Sequence, residues 1–99
     1  NYREVAAEVE RIDEVCVPLR ASVSEATDCA TASARAGGKR LRHYRAVRVR
    51  YTSPADGQMH SGVVIPTGGD KAVEASQLRP GDRWTIMAHD DKAEVIKAD

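Results

Sequence analysis

HYRAVRVRYTSPADGQMHSGVVIPT, residues 43–67, decides the fold class of this chain. In its first half His43, Arg45, Val47, Val49 and Tyr51 alternate with Tyr44, Ala46, Arg48 and Arg50. The later part of that alternation is strict, apolar on one side and basic on the other, as a half-buried strand requires. A second run, QMHSGVVIPT, puts Met59, Ser61, Val63 and Ile65 on one expected apolar face, and Pro66 closes the strand or lies on a sheet edge. Between them, Pro54 presets φ, Asp56 can bond nearby backbone, and Gly57 can take positive φ. The stretch reads as a β-hairpin.

The same turn holds Ser53, Asp56 and His60, the residue types of a hydrolase triad. A triad needs a serine bonded to an imidazole that a carboxylate orients. Here the serine is followed by proline, no GxSxG elbow is present, and no oxyanion hole is evident. The reading is a turn with a strand-borne histidine that points away from the apolar face, and not an enzyme.

Downstream, TGGDKAVEASQL is a loop followed by a short helix near residues 71–78, with Asp70 as the expected N-cap. LRPGD breaks the chain, and RWTIMAH resumes as a strand with Trp84, Ile86 and Ala88 on one face. Trp84 is the expected main core side chain. HDDK is a second polar turn, and AEVIKA a short last strand. Upstream, Val5, Val9, Ile12 and Cys16 have helical spacing. Yet Val5, Ala7 and Val9 also alternate, and so do Val15, Val17 and Leu19 with the parity changed. A β-bulge around Glu10 to Ile12 would reconcile the two halves as strand, so residues 2–16 stay open between helix and sheet. Residues 20–40 read as a long mobile loop.

Ninety-nine residues make one domain, 1–99, that buries roughly 60–70% of its unfolded surface. One Trp, three Tyr and no Phe leave the core to alanine and valine, so it must be thin. No apolar run approaches the roughly 18 residues of a membrane span. The first residue is Asn1 and not Met, which reads as a fragment of a longer chain, so the termini do not decide whether a signal or anchor segment was removed or where the protein sits.

Net charge is zero but unevenly spread. Residues 31–51 carry seven bases and no acid, namely Arg35, Lys39, Arg40, Arg42, Arg45, Arg48 and Arg50, whereas residues 1–30 carry seven acids and three bases. With Tyr44, the stretch 39–50 is a candidate polyanion-binding strand, for nucleic-acid phosphates with a stacked base or for anionic lipid headgroups. The competing reading pairs these arginines with Glu4, Glu8, Glu10 and Glu14 across a sheet, and overall neutrality favours it.

Cys16 and Cys29 lack CxxC spacing, and two thiols are too few for zinc. They read as a structural disulfide closing a small loop, for about 3 kcal/mol in an oxidising compartment, with two separate thiols as the alternative. His43, His60 and His89 with Asp90 and Asp91 lie on three segments without HxH or HxxxH spacing, so no metal site is expected. Gly37-Gly38 and Gly68-Gly69 lack phosphate-loop spacing, and the sequence calls for no cofactor.

From VRYTSPADGQMHSG through LRPGD to AHDDKAEV, the chain resembles a bacterial family of uncharacterised membrane-anchored proteins that carry a small β domain outside the cytoplasm. The parts that match are Val49, Tyr51, Asp56, Gly57 and Gly62 in the hairpin, then Leu78, Gly81 and Asp82 before the next strand. The turn His89-Asp90-Asp91 matches the family's last turn, though without its proline. The family's first strand looks like YREVAAEVERIDEVC, which tips residues 2–16 toward sheet. The resemblance implies no activity. It implies a periplasmic or otherwise extracytoplasmic, membrane-anchored module, and that setting favours a Cys16–Cys29 bridge.

The expectation is thus an all-β domain of five or six antiparallel strands, an SH3-like or OB-like barrel or a sandwich, with one long loop and one short helix. Its expected role is non-enzymatic interaction or structure, toward a protein partner or a membrane surface. A small-barrel binder of nucleic acid or another polyanion is the alternative.

Overall fold

Residues 2–16, poised between helix and strand, form part of one long strand. The computed structural model describes every residue from Asn1 to Asp99, and β1 runs from Tyr2 to Pro18. The pairing register shifts between Val9 and Arg11, so Glu10 is the extra residue of a bulge. That bulge is why two alternations of opposite parity sit in one strand. Before it Ala7 and Val9 face the core; after it Ile12 pairs with the buried Val47.

Five more strands follow. β2 is Thr27–Asp28, β3 Leu41–Thr52, β4 Met59–Val64, β5 Arg83–His89 and β6 Ile96–Lys97. They form one antiparallel sheet in the order β4-β3-β1-β5-β6, with β2 also on β1. β5 pairs with Tyr2 to Glu8, and β2 takes the same edge of β1 at Val15 and Cys16. The turn before β5 locks onto the bulge, for Gly81 N–H donates to Val9 O at 2.7 Å and Val9 N–H to Asp82 O at 2.8 Å. Gly81, at φ 94°, supplies the left-handed backbone this requires.

The sheet curls into a half-barrel until β4 and β6 touch without exchanging backbone hydrogen bonds. At that seam Ile96 packs over Gly62, where an added Cβ would stand 2.9 Å from Ile96 Cδ1 and make that side chain shift. Inside lie Ala7, Val9, Val47, Val49, Tyr51, Val64, Trp84, Ile86 and Ala88. Tyr51 and Ile86 are the largest fully buried side chains, so the core is thin, as the composition requires. The radius of gyration, 14.3 Å, exceeds the roughly 13 Å of a compact chain this size. The long β1–β3 ribbon extending past the core accounts for that.

Residues 20–40 are not a mobile loop. They fold as a 3-10 turn at Val23–Glu25, then β2, then a helix, α1, at Cys29–Ala36. Ser22 and Glu25 form a capping box, Asp28 caps α1 through Thr31 N–H, and Gly37 ends it at φ 59°. The fold therefore has two short helices. The second, α2, spans Gly69–Ala75, earlier than expected; Gly68 is its N-cap, and Asp70 lies in its first turn.

β4 buries the face opposite to the one its sequence suggested. Val47 pairs with Val64, Val49 with Gly62 and Tyr51 with His60, and residues paired across antiparallel strands share a face. The even-numbered residues of β4 therefore turn inward, while Met59 and Val63 are exposed. A one-residue error of register reverses every side chain, and the turn length alone did not fix that register.

Candidate interaction surface

The basic strand divides by parity. Arg45 shares the inner face with Val47 and Val49; its Nη1–H donates to Ala75 O at 2.5 Å and its Nε lies 3.5 Å from Glu14 Oε1. At that distance the carboxylate offers charge attraction and not a hydrogen bond, so the buried Nε has no hydrogen-bond partner. Arg42, Tyr44, Arg48 and Arg50 share the opposite face. Arg42 donates to the Tyr44 hydroxyl at 3.1 Å and to the Ala21 carbonyl, with its guanidinium over the Tyr44 ring. Arg50 pairs with Glu8 at 2.9 Å. Two of the predicted cross-sheet pairs therefore form, through Glu8 and Glu14. Glu10, carried by the bulge, accepts a hydrogen bond from Ser61 Oγ instead.

Lys39, Arg40 and Arg48 take part in none of the ion pairs. Lys39 and Arg40 lie where β3 begins, at the far end of the ribbon. Leu19 N–H donates to Arg40 O at 3.2 Å there and ties the end of β1 to them. This pairing adds Arg20, likewise without a carboxylate partner, and the half-exposed Leu19. A groove of about 410 Å³ opens between Pro18–Ala21 and Lys39–Arg40. Arg20 and Leu19 were not legible as part of this surface, because they sit twenty residues from Lys39 in sequence. Only the β1–β3 register joins them. The predicted set thus splits into a cationic end at Lys39 and Arg40, an Arg42–Tyr44 stack, a neutralised Arg50, an Arg48 outside the ion pairs in mid-strand, and an inward Arg45.

The chain matches no protein-family model, and neither a curated protein nor a solved structure matches it significantly. Function must be read from the side chains.

Ser53, Asp56 and His60 are only partly brought together. His60 Nε2 lies 2.8 Å from Asp56 Oδ2, and its ring stacks on Tyr51. His60 is therefore engaged with the hairpin and turned to the inner side of β4, not away from it. Asp56 also accepts Gln58 N–H at 2.9 Å; that bond and the one from His60 hold its carboxyl below the usual range. Ser53 is buried, and its Oγ accepts Ala55 N–H at 3.1 Å. No bond joins Ser53 to His60, and the dyad lacks its nucleophile.

The three histidines occupy three separate networks. His89 Nδ1 accepts the N–H groups of Asp91 and Lys92, and its ring meets Tyr2 edge-on. His43 lies beside a disulfide that joins Cys16 and Cys29, clamping the first residue of α1 to β1. Burial raises the Tyr51 hydroxyl above its ordinary value, helped by Glu94 and Asp56, and it donates to Ala93 O at 2.8 Å. The indole of Trp84 donates to Glu74 at 2.9 Å, which with Lys71 lowers the Glu74 carboxyl and ties α2 to β5.

Proposed function

We propose that this domain is a non-enzymatic interaction module of a membrane-anchored bacterial protein, working outside the cytoplasm, and that its cationic end rests on an anionic bilayer surface. The observation that carries the reading is that end itself. Arg20, Lys39 and Arg40 surround an open groove without ionic partners, beside the exposed Leu19. Each such cation near an anionic leaflet contributes about 1 kcal/mol, and an apolar side chain among them can enter the headgroup layer. The disulfide supports an oxidising setting. The resemblance to anchored proteins agrees with a role at the membrane surface.

Vesicle flotation tests this. The domain should float with vesicles containing phosphatidylglycerol at low salt and not with pure phosphatidylcholine. Salt should release it. The triple reversal Arg20→Glu, Lys39→Glu, Arg40→Glu should abolish flotation, whereas Arg50→Glu should weaken it little. Absence of flotation at low salt would remove the proposal. Tight, salt-steep capture of a single-stranded oligonucleotide in its place would favour the polyanion-binding alternative along residues 39–50.

A further inference from the structure

Cys16, Cys29 and His43 bring two sulfurs and an imidazole nitrogen within 4.8 Å of one another. The sheet register causes this. Cys16 pairs with His43 on β3 on one side and with Thr27 on β2 on the other, and Cys29 follows two residues later as the first residue of α1. His43 Nδ1 lies 3.2 Å from Cys16 Sγ. A disulfide sulfur carries no proton, so the imidazole donates in this oxidised state. Packing alone does not require a histidine at this point, since its ring lies toward the surface.

We propose that the reduced domain holds a single zinc ion through Cys16, Cys29 and His43, and that the disulfide masks this site. An external dithiol reduces the Cys16–Cys29 bond: it gives up two electrons and two protons, its own sulfurs join, and two protein thiols result. Zinc then displaces the two thiol protons, and His43 moves its proton to Nε2 so that Nδ1 can ligate. Two thiolates and one imidazole are donors zinc accepts, and water takes the fourth tetrahedral position. Zinc–sulfur bonds of about 2.3 Å require the sulfurs to part to about 3.8 Å. Cys16 is fully buried and paired on both sides, with β2 and with β3, whereas Cys29 is half-exposed at the start of a two-turn helix, so Cys29 makes the movement. His43 also lines a groove of about 260 Å³ with Glu14 and Arg45, which opens a route for the ion. This inference stands apart from the cationic end and survives if that reading fails.

The test titrates the full chain with Co²⁺ and then Zn²⁺, air-oxidised in one series and reduced by a phosphine under nitrogen in the other. Reduced protein should bind one Co²⁺ per chain, with sulfur-to-cobalt charge-transfer absorption that one equivalent of Zn²⁺ removes, and oxidised protein should show no such absorption. Loss of an outer partner of a metal ligand costs 10–100-fold in affinity, so His43→Gln, which removes a ligand itself, should weaken binding more than about a hundredfold. His60→Gln should leave it unchanged. Reduced protein without the absorption, or His43→Gln binding as tightly as the parent, would overturn the site. Circular dichroism in the same titration covers a reduced chain that unfolds without metal. One equivalent of Zn²⁺ should then restore the sheet signal, and binding without that recovery would equally overturn it.

Discussion

Reduction of the Cys16–Cys29 bond should cost this fold about 3 kcal/mol, because the crosslink spans a sequence separation of only 13. Most of that effect lies in the unfolded chain, which regains the freedom the closed loop denied it. For a stability of about 5–15 kcal/mol, the loss shifts the folding equilibrium about 150-fold. At about 4–8 °C per kcal/mol for a domain near 100 residues, the melting temperature should fall by about 12–24 °C. The assay is urea unfolding of oxidised and reduced parent protein, with a chelator present so that no metal stands in for the bond. Comparing the same sequence in two redox states leaves both sulfurs in place and isolates the crosslink. Because the reduced unfolded chain is more expanded, the denaturant slope should also rise. The double variant Cys16→Ala, Cys29→Ala should lose more than reduction does, since Cys16 is fully buried and its sulfur fills space in the packing. A loss below about 1 kcal/mol with an unchanged slope would refute the reasoning, and would mean that the reduced unfolded chain keeps this loop nearly closed by itself.

Ile86→Ala should cost about 2–5 kcal/mol by urea unfolding, because Ile86 is fully buried and the thin core has few large side chains with which to refill the space. The Glu74 carboxyl is held below its ordinary value of 4.5, first by the Trp84 indole and then by Lys71. A depressed carboxyl stabilises the fold above its unfolded pKa, and that stability is lost as pH falls through the folded one. Glu74→Gln should therefore be less stable than the parent near pH 7, and the difference should shrink as pH falls below the ordinary value of 4.5 and vanish once pH has passed the lowered value in the folded protein. A difference independent of pH would exclude the charge as its source.

The hairpin around Pro54 and Gly57 was legible because turn residues and period-two alternation agree there, and β5 for the same reason through Trp84, Ile86 and Ala88. The excursion at residues 20–40 carried its own signals, the Ser22–Glu25 capping box and the Asp28 and Gly37 caps. Its Ser, Thr and Ala content lacks an apolar period, however, and a helix as short as α1 depends on docking against β1, β2 and β3 and on the Cys16–Cys29 bond. The inward face of β4 was not legible, since Val63, Val64 and Ile65 support either register until β3 selects one.

By itself the sequence determined the all-β class, the strand-breaking turns, the parity change in the first segment and the imbalance of charge along the chain. Each of these is a local property of side-chain size, backbone preference and spacing. Tertiary structure alone decided which face of β4 is buried, that Arg50 and Arg45 are spent on Glu8 and Glu14, and that Arg20 joins Lys39 and Arg40. It also decided that His43 stands at the Cys16–Cys29 bond. These are juxtapositions across strands, set by a register that one bulge in β1 shifts, and no local pattern contains a register.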